Sequence, residues 1–146
     1  MALTVKKVAL WRKEMDNQAG AAAAALRALA GKAGNLTVVM GYRIPGNEAR
    51  AVLEIAPVTG KKTLAGAAAG GLTASTVPAL LVQGDDRAGL GLAFTSALAG
   101  AGINLAFLVA QVVGRRFSAV FGFESEEAAR KAAPILKKAA AKPKKK

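Results

Sequence analysis

Any chemistry in this 146-residue chain must run on Lys, Arg, Asp, Glu or hydroxyl groups, because it contains no histidine and no cysteine. Zinc sites draw on those two residue types, so neither a structural nor a catalytic zinc is expected. A Ser-His-Asp triad, a Cys-His pair and a disulfide framework have nothing to be made from. The nine carboxylates could serve magnesium or acid/base work only by converging. Asp85-Asp86 is the one adjacent acid pair in a candidate loop. No base accompanies it, and a cation there would be held weakly. The residue types point away from an enzyme, and no cofactor or metal is expected.

The polar residues that remain fall into two short loops that are the same loop met twice. Setting Gly20 on Gly89, an offset of 69 residues, places Asp16-Asn17-Gln18-Ala19-Gly20 on Asp85-Asp86-Arg87-Ala88-Gly89. Leu3-Thr4 then falls on Leu72-Thr73, Leu29 on Leu98, Asn35 on Asn104, and Pro45-Gly46-Asn47 on Gly114-Arg115-Arg116. The alignment needs no gap. Ordered agreement of loop, helix, asparagine and turn reads as a duplicated unit.

Each unit reads strand, helix, strand, strand, helix. Residues 5–12 and 77–83 have strand character, and the first helices are expected over about 20–32 and 89–101. Asn17 and Asp86 stand where a short polar side chain caps a helix, and Gly34 and Gly102 where one ends. Leu26 and Leu29 in one copy, and Leu90, Phe94 and Leu98 in the other, make the inward faces. Strands over 36–44 and 50–55, and over 105–113 and 117–123, form hairpins. Phe117, Ala119, Phe121 and Phe123 alternate as a half-buried strand does. In the closing helix of the second copy Ser125 is the cap, Glu126 and Glu127 fill the first turn, and Lys137 and Lys138 the last. Pro134 interrupts it. In the first copy Pro57 suits the first helical position, and Gly66, Gly70 and Gly71 make that helix weak.

A β-α-β-β-α-β unit needs a fourth strand after its second helix. The first copy finds one in residues 72–76. The second copy is followed only by lysines, so residues 3–7, the counterpart of 72–76, are expected to cross over and complete it. Residues 3–12 and 72–83 then become long strands shared by both units, with Pro78 at a bend or an edge. The expected fold class is α+β: two ferredoxin-like βαββαβ units with antiparallel sheets, exchanging a strand, helices packed on one face. The units span residues 3–71 and 72–138, followed by a lysine-rich, disordered tail over 139–146.

The net charge of +12 is uneven. Residues 137–146 hold six lysines and no acid, which leaves +6 in residues 1–136. The tail reads either as an electrostatic arm for nucleic acid or anionic membrane, or as a solubilising end. Residues 63–84 and 88–114 are uncharged and long enough to span a bilayer. Glycines, hydroxyls, Pro78, Asn104 and Gln111 interrupt them, so no membrane span is expected. Residues 1–15 mix charged and apolar types with no continuous apolar run, which predicts no secretory signal and a cytoplasmic protein.

Residues 84–111 (GDDRAGLGLAFTSALAGAGINLAFLVAQ) resemble an ACT domain: a strand, an Asp/Asn-rich loop leading to glycine, a helix, then Gly-apolar-Asn opening the next strand. Residues 16–39 (DNQAGAAAAALRALAGKAGNLTVV) are similar in outline. Strands shared by adjacent units resemble the paired regulatory region of aspartokinases. The resemblance implies a non-catalytic regulatory module binding an amino acid or similar small ligand where first strand meets first helix. Helix N–H groups would meet a carboxylate, glycine would permit close approach, and Asn or Asp would hold an ammonium group. By motif position the ligand-binding candidates are Asp16, Asn17, Gln18, Ala19, Gly20 and Asn35, with Asp85, Asp86, Arg87, Ala88, Gly89 and Asn104. Ala19 and Ala88 replace a proline common in the family, and Gly34 replaces the apolar residue that Ile103 supplies in the second copy, so one site is open to being purely structural.

Two readings stand for several of these residues. Asn17 and Asp86 are helix caps or ligand contacts, Asn35 and Asn104 satisfied strand-opening polars or ligand contacts. Trp11 reads as core or interface. The resemblance further implies a homodimer and a regulated protein partner. The alternative function is a ligand-free interaction module that engages protein or nucleic acid through its sheet and the basic residues 137–146.

Overall fold

The structure, a computed structural model, describes residues 3–31 and 35–141. In chain order its elements begin β1 (Thr4–Val8), β2 (Trp11–Asp16), α1 (Ala21–Arg27), β3 (Val38–Ile44), β4 (Asn47–Ala56) and α2 (Lys61–Ala69). They continue β5 (Thr73–Ala74), β6 (Ala79–Asp85), α3 (Leu90–Gly100), β7 (Leu105–Val113), β8 (Arg116–Phe123) and α4 (Glu126–Ala140). Two compact units result. One is residues 9–76; the other joins the first eight residues to everything from 77 onward. Each holds one four-stranded antiparallel sheet, ordered β3-β4-β2-β5 in the first and β1-β6-β8-β7 in the second. The fold is α+β, two ferredoxin-like βαββαβ units.

The exchange expected from the repeat register is present. β1 pairs with β6 from Thr4 opposite Gln83 to Val8 opposite Ala79. Its counterpart β5 pairs with β2, at Trp11 opposite Ala74 and Arg12 opposite Thr73. The two long strands are nevertheless broken. β1 ends at Val8 and β2 begins at Trp11, while Pro78 separates β5 from β6. Pro78 has no N–H to give a ladder, but its carbonyl accepts from the Phe123 amide at 2.8 Å.

In the unit containing β6, alternate residues Leu80 and Val82 of β6 and Phe117, Ala119, Phe121 and Phe123 of β8 bury one sheet face. Leu90, Phe94 and Leu98 of α3 and Ala129, Ala132 and Leu136 of α4 cover it. Phe94 meets Phe121 edge-on, centroids 5.8 Å apart, a geometry that sets a positive ring edge on a negative face. The core of residues 9–76 is smaller, formed by Met15, Leu53, Ile55, Ala25, Leu29, Val58, Ala67 and Leu72. Leu26 and Trp11 pack against it. Ala25, buried in this core, takes the place that Phe94 holds in the other copy. At Gly70 an added Cβ would come within 2.6 Å of the Ala28 Cβ. Glycine here permits the close approach of α2 to the end of α1.

Several expectations are corrected. Asn17 and Asp86 do not cap α1 and α3. The cap positions are Gly20 (φ 88°) and Gly89 (φ 85°), in the left-handed conformation, with no side-chain cap bond. Pro57 does not begin α2, because β4 runs to Ala56 and the helix starts at Lys61 after Gly60. The first helix ends at Arg27 rather than about residue 32, and its proposed terminator Gly34 lies outside the described residues. Gly102 does end α3. With φ +71°, it donates to Ala99 at 3.0 Å, and Ile103 donates to Leu98 at 2.9 Å, the two reversed bonds of a Schellman motif. The repeat also needs a gap. Trp11 faces Ile55 and its counterpart Leu80 faces Phe121, so positions 69 apart on one strand face positions 66 apart on the next. The β3–β4 hairpin holds three extra residues, and its register breaks between Arg43 and Ile44.

Ser125 caps α4, its side-chain oxygen accepting from Ala128 N at 3.0 Å, with Glu126 and Glu127 in the first turn and Lys137 and Lys138 in the last. Pro134 lies inside the helix. α4 continues through Ala139 and Ala140, which pack on the core, so the expected tail loses its first residues to the helix. Residues 142–146 lie outside the described residues. Residues 63–84 carry most of α2 with β5 and β6, and 88–114 carry α3 and β7. No helix among the described residues is long and apolar enough to cross a membrane.

The pairing of β1 with β6 carries a measurable consequence. Its five cross-strand pairs, at roughly 0.2–1 kcal/mol each, amount to about 1–5 kcal/mol. Residues 77–146 alone should therefore unfold at lower urea than the same fragment carrying residues 1–8 on a flexible C-terminal linker, followed by circular dichroism. Equal midpoints would show that β1 contributes nothing to that sheet.

Candidate functional site

The two candidate loops are built by the same backbone bonds. The Asn17 amide donates to the Ala49 carbonyl at 2.9 Å, and the Asp86 amide to Arg115 at 2.8 Å. Ala21 donates to Gln18 at 3.2 Å, and Leu90 to Arg87 at 3.4 Å. Gly20 and Gly89 then turn the chain into the helix with positive φ, where a Cβ would be strained. Each loop is tied to the neighbouring hairpin by an ion pair at equivalent places. Arg50 Nη1 holds Asp16 Oδ1, and Arg116 Nη1 holds Asp85 Oδ1 at 3.1 Å. The hydrogen bond to Asp16, assisted by Glu14 at 3.4 Å from Arg50 Nε, raises the Arg50 guanidinium above its ordinary pKa.

The expected site residues therefore divide. Asp16 and Asp85 anchor the loops, and Gly20 and Gly89 shape them. Ala19 and Ala88 complete the turns. Arg87 turns away to the end of α4, its Nη2 donating to the carbonyls of Ala139 at 3.3 Å and Ala141 at 3.4 Å. That contact places a cation at a helix C-terminus, where the macrodipole favours it. Asn17 and Asp86 stand beside clefts. The Asn17 amide side chain donates to the Glu48 carbonyl at 2.8 Å.

Asn35 and Asn104 do not join these loops. Asn35 precedes β3 at the end of the sheet where Thr37 N bonds Ala56 O, whereas the Asp16 loop lies at the Arg50 end of β4. Asn104 precedes β7 at the Phe123 end of β8 and donates to Glu124 Oε1 at 2.8 Å. A whole strand, roughly 20–30 Å at about 3.3 Å per residue, separates each asparagine from its loop within one chain. Asn104 lies instead on a separate polar cleft with Glu124, Ser125, Glu127 and Lys131.

A cleft lies beside each loop, and the two are related by the repeat. In residues 9–76 it is about 230 Å³ and is lined by Asp16, Asn17, Gln18 and Ala22 with Gly41, Tyr42, Arg43, Ala51 and Leu53. In the other unit it is about 240 Å³ and is lined by Asp86 and Gly91 with Ala110, Gln111, Val112, Phe117 and Ala119. Phe94, Leu108 and Phe121 deepen the second. Matching positions differ: Tyr42 and Arg43 line one cleft, Gln111 and Val112 the other, so a charged residue stands where the second copy has an apolar one. Loop motifs could not reveal these strand residues. The repeat alignment could, since Tyr42 falls on Gln111 and Arg43 on Val112.

Tyr42 also engages Glu54, its hydroxyl donating to Oε2 at 3.0 Å. Glu54 is only 4% exposed. Burial first, and the Glu54 carboxylate second, raise the phenol above its ordinary value of 10.0. The fold thus favours the neutral phenol. This contribution to stability is fully present below the unfolded pKa and is lost as pH rises through the higher folded one. Tyr42 is the sole tyrosine, so its phenolate absorbance reports on the contact with Glu54 alone. The native titration midpoint should lie above that in urea, and Glu54→Gln should lower the native value. Coincident native and unfolded midpoints would remove the interaction.

Among the described residues no group of acids could hold a metal ion. No family model and no curated protein matches the chain. Solved structures do. A protein from Bacteroides thetaiotaomicron superposes with a TM-score of 0.72 over 92% of this chain and 89% of its own, at 12% identity. The ligand-free regulatory subunit of aspartate kinase from Thermus thermophilus gives 0.63 over 97% and 99%, at 16% identity. A putative C-terminal regulatory domain of aspartate kinase from Porphyromonas gingivalis gives 0.56 over 94% of each chain, at 13% identity. Likeness at such identities is one of architecture: the chain shares the fold of these structures, here two βαββαβ units in tandem.

Proposed function

We propose that this chain is a non-catalytic regulatory module that binds an amino acid or similar small ligand in the clefts beside its strand-to-helix loops. The observation that carries the reading is the repeated cleft, formed twice by equivalent positions, with Asn17 at one and Asp86 at the other. The absence of histidine and cysteine suits a site that works through backbone amides, a carboxylate and a carboxamide. In this reading the signal passes to a regulated protein or through the chain's own dimer.

The two clefts are unequal. α3 has eleven residues and α1 only seven, so α3 offers the stronger partial positive charge to a carboxylate. Asp86 suits the ammonium group of the same ligand. Phe94, Leu108, Val112, Phe117 and Phe121 offer its side chain apolar walls, which favour an aliphatic or aromatic amino acid over a charged one. The cleft beside Asn17 is shorter of apolar wall and contains Arg43 and Tyr42. It serves a more polar ligand, or it stands as a structural copy.

Calorimetry with the common amino acids tests this. An apolar amino acid should bind, and Asp86→Ala should weaken that binding at least tenfold, with Asn17→Ala affecting it less. The single Trp11, in β2 a few residues before the first loop, reports binding in the Asn17 cleft by fluorescence. A folded protein that binds no amino acid at millimolar concentration would overturn the reading, and unchanged affinity in both variants would move the site elsewhere.

A further inference from the structure

We infer that Arg43 makes the cleft beside Asn17 selective for an acidic amino acid, its guanidinium receiving the ligand's side-chain carboxylate. The assignment deepens the proposed function, on which it depends for the cleft being a ligand site. Residues opposite one another across an antiparallel ladder share a face. Arg43 stands opposite Ala51, and Ala51 opposite Met15. Met15 is buried in the core of residues 9–76 and Ala51 packs against that core, so Arg43 is on the same face of the sheet. The equivalent row in the other copy runs Val112, Phe117 and Gly84. A guanidinium beside alanine thus replaces a valine beside phenylalanine. One row further along, Gly41 stands opposite Leu53. A Cβ added at Gly41 would meet nothing closer than 3.9 Å, which leaves the floor beside Arg43 open.

The charges around this cleft are unequally engaged. Among the described residues that line it, Arg43 is the one cation and Asp16 the one acid. Asp16 is already held by Arg50, which also takes Glu14 at 3.4 Å. Arg43 has Glu48 at 4.0 Å, with the two side chains 64% and 80% exposed. An ion pair that long and that wet contributes little, so a ligand carboxylate can displace it. α1 has only seven residues and supplies little helix charge, so anion binding here falls to the guanidinium. Its planar fork donates two parallel hydrogen bonds to a carboxylate. Asn17 donates to the Glu48 carbonyl through Nδ2, which leaves Oδ1 as an acceptor for the ligand's ammonium group. A basic side chain would meet Arg43 as a like charge, and a neutral amide would forgo the charge-assisted bonds. The two clefts then sort ligands by side chain, apolar beside Asp86 and acidic beside Asn17.

Calorimetry of the full chain with glutamate, aspartate, glutamine and asparagine tests the selection. Glutamate or aspartate should bind roughly tenfold or more tightly than its own amide. Arg43→Gln should erase that preference, bringing acid and amide within about twofold, while Arg43→Lys should retain part of it. Both variants change an exposed side chain and should keep the circular dichroism and urea midpoint of the parent. Asp86→Ala should leave the affinity for the acid unchanged, which places that binding away from the second cleft. Equal affinity for acid and amide, or no binding of either acid, would overturn the inference. So would a preference that survives Arg43→Gln, or one abolished by Asp86→Ala. Where an apolar amino acid still binds, these outcomes leave the proposed function standing; a folded chain that binds no common amino acid removes both.

Discussion

The unit from residue 77 onward is organised around β6, and β6 remains an interior strand only because residues 4–8 cover one of its edges. Val82 on β6 is fully buried, and at Gly84 an added Cβ would lie 3.0 Å from Leu3 and 3.2 Å from Phe117. The N-terminal segment is thus pressed against the same strand that leads into the Asp86 loop. A strand borrowed from the far end of the chain sets the place from which the candidate site departs. It costs loop-closure entropy, which grows slowly with length, and it replaces an open edge with a short lysine-bearing one.

From that base the loop is fixed mainly by backbone. Positive φ at Gly20 and Gly89 and the paired amides of Asn17 and Asp86 make the turn, while Asp16 and Asp85 tie it to the next hairpin. Because glycine supplies the conformation, neither Asn17 nor Asp86 is consumed as a cap, and both are left beside clefts. Arg87 goes the other way, to the carbonyl end of α4. Three adjacent polar residues, Asp85, Asp86 and Arg87, are therefore sent to three different places.

The duplicated unit was legible because loop, helix face and turn residues recur in order, and the strand exchange followed from counting strands against that repeat. Leu90, Phe94 and Leu98 announced the buried face of α3 by helical spacing. The extra length of the β3–β4 hairpin was not legible, since a bulge absorbs residues without changing the apolar alternation on either side. Nor was the start of α2, because proline fits both a first helical turn and the end of a strand. Asn35 and Asn104 looked like partners of the loops because the motif places them a fixed distance along the chain. An antiparallel unit sends each to the opposite end of its strand, where Asn104 meets Glu124 instead.

The sequence by itself determined the fold class, the repeat, the exchanged strand and the exclusion of His- and Cys-based chemistry. Those follow from residue types and periodicity, which are properties of the chain read along its length. Which polar side chains face a cleft, which anchor a loop and which strand lies at an edge was decided only by tertiary structure. These are properties of neighbours across strands, and register sets them. Tyr42 meets Glu54 because β3 and β4 align as they do. The apolar stretch of β7, indistinguishable in sequence from a buried strand, is an edge because β8 lies between it and β6.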